Sequence, residues 1–309
     1  MGDPRFSSSR RRSLALLAGV PAALAMSRAV TAPEAMIERL VPGSGERLPV
    51  IGLGTWQSFD VGDDPAERAP LREVLTLLSE GGGKVIDCSP MYGASEAVVG
   101  ELSAQLGLRP KLFVATKVWT SGRAEGVRQM ELSFNRLRVQ KMDLMQIHNL
   151  VDVATHTRTL LDWEQQQRVR YLGITHYSAS AYAEIERWLR TGAYSFLQIN
   201  YSLAERGSER RLLGVARERG MAVIINRPFG AGAMFRRVRG KALPPWTAEI
   251  GAASWAQYFL KWILGHPAVT CAIPGTGNPA HMKDNLGAGY GALPDEALRK
   301  RMAEYFDAL

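Results

Sequence analysis

The chain is poor in the residue types that announce special architectures. Only two cysteines, Cys88 and Cys271, occur in 309 residues. That is too few for a disulfide framework at this length, and their spacing fits no metal motif. The sequence therefore predicts two free thiols. Five scattered histidines form no H-E-x-x-H pattern, so no metal site is expected. No Lys/Arg cluster alternates with aromatics along one face, which argues against a nucleic-acid partner. The glycine fingerprint of an open dinucleotide-binding sheet, G-x-G-x-x-G, is missing as well. The stretch "GLGTWQS" has Gly52 and Gly54 but no third glycine. Beyond the N-terminus nothing predicts a stable membrane span.

What remains is ordinary globular composition, 46% hydrophobic and 22% charged. The formal charge of +8 is unevenly placed. Residues 1–32 hold Arg5, Arg10, Arg11, Arg12 and Arg28 against Asp3 alone, so half of the net charge belongs to that segment. It also carries an apolar run, Leu14 to Met26, too short to cross a bilayer comfortably. A basic head followed by such a run reads as an export signal. Arg11-Arg12-Ser13-Leu14 resembles the twin-arginine type, with small residues near Ala25 and Ala32 as cleavage sites. The expected division is residues 1–32 as signal and linker and 33–309 as one catalytic domain, exported to the periplasm. A misassigned start would leave the protein cytoplasmic.

From Val50 onward short apolar strands alternate with helical patterns. Strand-like runs are "KVIDCS", "KLFVATKVW", "MDLMQIHN", "RYLGITHY", "FLQINYS", "MAVIINRPFG" and "AVTCAIPGT", after an early strand or hairpin arm in "RLPVIGLGTW". Amphipathic segments such as "ERAPLREVLTLLSEGG" and "SEAVVGELSAQLG" separate them, and "DEALRKRMAEYFDAL" trails behind. Eight strand–helix units in about 250 residues predict a closed (β/α)8 barrel of the TIM type in a single domain. The competing architecture is an open doubly wound sheet.

In a barrel, polar residues ending apolar strands converge on one mouth. Asp87 ends "VID", Tyr92 lies in the following loop, Lys117 sits near the end of "FVATKVW", and His148 ends "MDLMQIH". Taken singly each has a plainer reading. Asp87 could cap a turn, Tyr92 could pack in its loop, Lys117 could sit on the surface, and His148 could be a satisfied core histidine. The ordered set is the signal.

That set, with "IGLGTW", "YLGITHYS", "FLQINYS" and "IPGTGNPAHMKDNLGA", resembles the aldo-keto reductase family over about residues 48–288. The resemblance implies hydride transfer from NADPH to an aldehyde or ketone. Tyr92 would be the general acid, Lys117 would lower its pKa, Asp87 would hold Lys117, and His148 would orient the substrate oxygen. The implied cofactor contacts are Gly54 and Thr55, then Thr175, His176 and Gln198 around the nicotinamide carboxamide. Asn226, Arg227, Pro228 and Phe229 follow, and Gly275, Thr276, Lys283 and Asn285 lie at the adenosine end. Asn226 stands where many members stack a tyrosine, so stacking is either lost or supplied by Phe229 or Tyr201. Gly275 and His281 stand where many members have the lysine and arginine that grip the 2′-phosphate, which leaves NADH open. Trp56 and Trp119 match substrate-pocket positions. Arg236, Arg237, Arg239 and Lys241 in the long segment 230–254 would either meet phosphates or face solvent. Two other readings are a cofactor-binding sensor with little turnover and a Schiff-base lyase built on Lys117.

Overall fold

The computed structural model describes residues 35–309 together with Met1. The expected export signal and its boundary after residue 32 lie outside the described residues. An antiparallel hairpin, β1 (Glu38–Leu40) and β2 (Arg47–Pro49), opens the described chain. Eight strands follow: β3 (Leu53–Gly54), β4 (Val85–Asp87), β5 (Phe113–Val118), β6 (Met142–His148), β7 (Val169–Thr175), β8 (Phe196–Asn200), β9 (Ala222–Asn226) and β10 (Cys271–Ala272). Each is parallel to the next and the order in space is the order in sequence. The ring closes where Gly52 N donates to Ala272 O at 2.9 Å and Ala272 N to Val50 O at 2.8 Å. The domain is the (β/α)8 barrel that the alternation predicts.

Helices α1 (Pro65–Glu80), α2 (Ser95–Gln105), α3 (Arg123–Leu137), α4 (Val153–Gln165), α5 (Tyr182–Leu189) and α6 (Leu212–Glu218) separate the strands up to β9. The first shows why such segments are helical. Asp64 accepts from Ala66 N at the N-cap, Pro65 occupies the first position, and Leu71, Val74, Leu75 and Leu78 repeat with helical spacing on the buried face. A short α7 (Ala233–Arg237) and then α8 (Trp255–Leu264) lie between β9 and β10; α9 (Pro279–Gly287) and α10 (Glu296–Asp307) complete the chain. Helix α8 is buried all round because α10 covers its outer face. Tyr258 donates to Met302 O at 2.8 Å, and Trp262 Nε1 to Arg299 O at 3.0 Å.

The strands face two ways. Val85, Phe113, Leu144, Phe196, Ala222 and Cys271 belong to the barrel interior, where they pack with Val41 and Leu48 of the hairpin. These are residues near strand starts, so the hairpin plugs the N-terminal end. Burying Val41 and Leu48 there contributes roughly 1.5–3 kcal/mol each. Two or four residues further along the same strand faces the interior turns polar: Asp87 after Val85, Lys117 after Phe113, Gln146 and His148 after Leu144, Gln198 after Phe196. Register sets Lys117 opposite Gln146, His148 opposite Thr175 and Thr175 opposite Gln198. A polar layer therefore lies across the C-terminal end of an apolar barrel.

Candidate active site

Asp87 is the hub of that layer. Its Oδ2 accepts from Lys117 Nζ at 2.7 Å, and its Oδ1 accepts from Gln146 Nε2 at 3.0 Å and Gln198 Nε2 at 2.7 Å. Lys117 also donates to Cys88 O at 2.6 Å. Both charges are buried, so each depends on the other for compensation. Burial by itself would lower the Lys117 pKa, but Asp87 and Tyr92 outweigh it and raise the value, which keeps the ammonium charged.

The loop after β4 brings Tyr92 back over this ion pair. Ser89-Pro90-Met91-Tyr92 makes a turn with proline at its second position, closed by Tyr92 N donating to Ser89 O at 3.0 Å. Gly93 adopts φ 57°, and a Cβ there would lie 2.0 Å from Asp60 Oδ1. The same Asp60 oxygen accepts from Ala94 N at 2.8 Å and fixes the loop. Lys117 Nζ sits 4.7 Å from the Tyr92 ring centroid, and the His148 ring stands edge-on to Tyr92 with centroids 6.1 Å apart. The four expected side chains meet.

The expected lowering of the Tyr92 pKa is not what the structure gives. Burial of the phenol is the largest effect and raises the value; Lys117 pulls the other way without cancelling it. The phenol is held in its protonated form. His148 is pushed down to about 2 by burial, with Lys117 and His176 adding to the effect, so its imidazole is neutral. Its Nδ1 meets Ser89 Oγ at 3.2 Å.

Asp87, Tyr92 and His148 line a cavity of about 990 Å³ at the C-terminal ends of the strands, and Lys117 is buried beside Tyr92. Trp56, 51% exposed, and Trp119, 41% exposed, stand with Met91 at its mouth. Three polar atoms from cavity-lining residues are buried and lack a partner: Asn149 Oδ1, Asn226 Oδ1 and Arg227 Nε. Asn149 and Arg227 each follow a strand end in a left-handed conformation, at φ 53° and 49°.

The sequence signature of the Aldo/keto reductase family matches residues 50–302. This chain belongs to the aldo/keto reductase family. It is 31% identical over 262 residues to methylglyoxal reductase YeaE of Escherichia coli, a match covering 81% of this chain and 89% of that protein. The NADP-dependent D-sorbitol-6-phosphate dehydrogenase of Malus domestica is 25% identical over 290 residues, covering 83% and 90%. Among solved structures, an aldo/keto reductase from Klebsiella pneumoniae in complex with NADP and acetate superposes with a TM-score of 0.72 at 24% identity, covering 86% and 94%. An aldo-keto reductase of Bacillus halodurans in a holo form gives 0.70 at 21%, covering 88% and 96%. At these identities the solved structures show the fold alone.

The reductase places most, but not all, of the expected cofactor residues on the cavity. Gly54, Thr55, Thr175, His176, Gln198, Asn226, Arg227, Pro228, Phe229, Gly275, Thr276 and Asn285 line it; Lys283 is exposed and does not. Residues 281, 284 and 285 face inward on α9, which turns 283 outward. Tyr201 does not line the cavity either. It is buried against Trp262 at 4.9 Å, so of the two expected stacking aromatics only Phe229 lines the cavity. Arg236, Arg237, Arg239 and Lys241 are exposed and none lines the cavity, as a solvated loop requires.

Several expected contacts are already engaged. Gln198 spends one N–H on Asp87, and its Oε1 accepts from Thr175 Oγ1 at 2.9 Å. One N–H remains for a ligand. His176 Nδ1 accepts from Tyr177 N and Ser178 N, at 2.9 and 3.0 Å, so its free Nε2 is a donor. Thr55 Oγ1 donates to Asp87 O at 2.8 Å and thereby positions the strand end. Gly275 is a closure residue: a Cβ there would lie 3.2 Å from Gly54 O, and one on Gly54 would lie 2.9 Å from Ile273 O. At the start of α9 the Ala280 amide is taken by Asn278 Oδ1 at 2.9 Å. Gln146, Ser89, Asp284 and Tyr177 belong to the site or its support and are not among the expected residues. Asp284 is fixed by Ser254 Oγ and Gln257 Nε2, both at 2.8 Å.

Proposed function

We propose that the protein reduces aldehydes or ketones to alcohols with a nicotinamide dinucleotide, and that Tyr92 is the general acid. The observation that carries this is a protonated phenol and a neutral His148 converging on one cavity, with a charged Lys117, held by Asp87, buried beside the phenol. The cavity suits a dinucleotide. Its volume is at the upper end for ligand sites, and buried partnerless atoms such as Asn226 Oδ1 and Arg227 Nε call for polar ligand groups. Arg227 is the only lysine or arginine among the described lining residues, so phosphates would be met there. His176 Nε2 and the remaining N–H of Gln198 are donors available to the carboxamide. NADPH is the preferred reading, in keeping with the names of the Malus domestica and Klebsiella pneumoniae proteins.

The bound nicotinamide supplies the hydride. His148 Nε2 donates to the carbonyl oxygen and polarises it. Tyr92 passes its phenolic proton to the same oxygen as negative charge develops there. Lys117, kept cationic by Asp87, stabilises the tyrosinate that this transfer leaves. The indoles of Trp56 and Trp119 favour flat or apolar carbonyl compounds at the mouth.

Fluorescence titration with NADPH and NADH, followed by absorbance assays with methylglyoxal, aromatic aldehydes and quinones, tests the reading. Dinucleotide consumption with matching alcohol formation is expected. Tight binding with no turnover on any carbonyl overturns it in favour of a sensor. Arg227→Gln should raise the dinucleotide Kd about tenfold, consistent with roughly 1.5 kcal/mol for one charged hydrogen bond.

Export through the twin-arginine-type segment is proposed as well, on Arg11, Arg12 and the apolar run Leu14 to Met26. Fused to a reporter, residues 1–32 should deliver it to the periplasm, and Arg11→Lys with Arg12→Lys should retain it in the cytoplasm. Delivery unaffected by the double change would remove this assignment.

A further inference from the structure

His148 is useful to the reaction in only one tautomer. A neutral imidazole has one N–H, and only a proton on the cavity-facing nitrogen can be donated to a substrate oxygen. Which nitrogen carries it is decided by what the other nitrogen meets. Nδ1 meets Ser89 Oγ at 3.2 Å, while Nε2 has no protein hydrogen-bond partner among the described residues. Ser89 is fully buried, so its hydroxyl proton needs an acceptor. The other group on its oxygen is Met91 N, at 3.4 Å, which is a donor. Nδ1 is therefore the acceptor available to Ser89 among the described residues. With the proton on Nδ1 instead, two donors would face each other across 3.2 Å or the buried hydroxyl would lose its acceptor.

We infer that Ser89 is a positioning residue: its hydroxyl donates to His148 Nδ1 and holds the imidazole proton on Nε2, the nitrogen left to face the substrate. The turn that presents Tyr92 thus also sets His148, since Ser89 is its first residue and Tyr92 its last. Acid and orienting donor are aligned by four consecutive residues. The inference rests on the proposed reductase reaction for its consequence, but the tautomer itself can be read without turnover.

The direct test is long-range proton–nitrogen correlation on 15N-histidine-labelled protein, with the His148 signal assigned by its loss in His148→Asn. The wild-type protein should show the Nε2–H form, and Ser89→Ala a mixture with Nδ1–H. Carbonyl turnover by Ser89→Ala should fall about 10- to 100-fold, the usual effect of losing an orienting partner. The dinucleotide Kd should stay within about twofold. In a His148→Asn background the same change should cost less than about twofold, because the group it positions is gone. An Nδ1–H wild-type signal overturns the inference, as does an equal kinetic loss in both backgrounds. A wild-type protein that shows Nε2–H yet reduces no carbonyl would instead remove the proposed function.

Discussion

Lys117 is completely buried, and Asp87 is the partner that makes its charge tolerable. Lys117→Met leaves that carboxylate buried with only the Gln146 and Gln198 amides, and should lower unfolding free energy by about 3–5 kcal/mol. Urea denaturation measures it; a loss below about 1 kcal/mol would show that the pair is not the buried element described. The ends of apolar strands were readable because a carboxylate, an amine and an imidazole are out of place there. Gln146 was not readable in the same way. It lies two residues before His148 and shares its face, but an amide inside "MDLMQIH" carries no signal until the inward face is known. Ser89 is equally silent as a small residue before a proline. The direction of the Tyr92 pKa was misread because a sequence shows that an ammonium follows, but not how far packing withdraws a phenol from water.

The elements were legible in kind and less so at their ends. Short apolar runs marked every barrel strand, yet "RLPVIGLGTW" is split between β2 and β3, and β1 was not anticipated as a separate arm. Three-residue strands lack the length for a periodic signal. The loop carrying Tyr92 depends on one residue more than on any helix. Gly93→Ala would place a left-handed alanine against Asp60, costing at least roughly 1–2 kcal/mol and displacing the carboxylate that holds Ala94. The variant should fold, bind dinucleotide and lose most turnover, because Tyr92 is no longer held. Parental kcat, with Asp60 still bonded in a structure of the variant, would contradict that dependence. Gly275 carries a related lesson. Its place in an adenosine-end motif invites a cofactor reading, whereas the close approach of Gly54 gives it a structural reason to lack a side chain.

For the whole molecule, three histidines, one buried and two partly buried, fix the sign of an acid response. Burial lowers the folded-state pKa of His148 to about 2 and of His266 to about 4, and lowers that of His176. An unfolded histidine titrates near 6.5, so below that pH the unfolded chain binds more protons. Their contribution is complete above pH 6.5 and is lost as pH falls toward the folded values, at up to about 1.4 kcal/mol per unit for each group. Glu96 works the other way. Burial raises its pKa, so its contribution weakens as pH rises through the raised value. Unfolding free energy should therefore drop by several kcal/mol between pH 7 and 4.5; a flat profile would contradict the neutral state of these rings in the folded protein. Catalysis should show no titration near 6.5 from His148.

The central claim is that Tyr92 gives its proton to the substrate oxygen. Its most direct measurement compares Tyr92→Phe with the parent protein in two assays, NADPH binding by fluorescence and single-turnover reduction of a bound carbonyl. Binding should be unchanged while reduction slows by about 10²- to 10⁴-fold, the usual worth of a positioned general acid. Reduction at the parental rate by Tyr92→Phe would contradict the account.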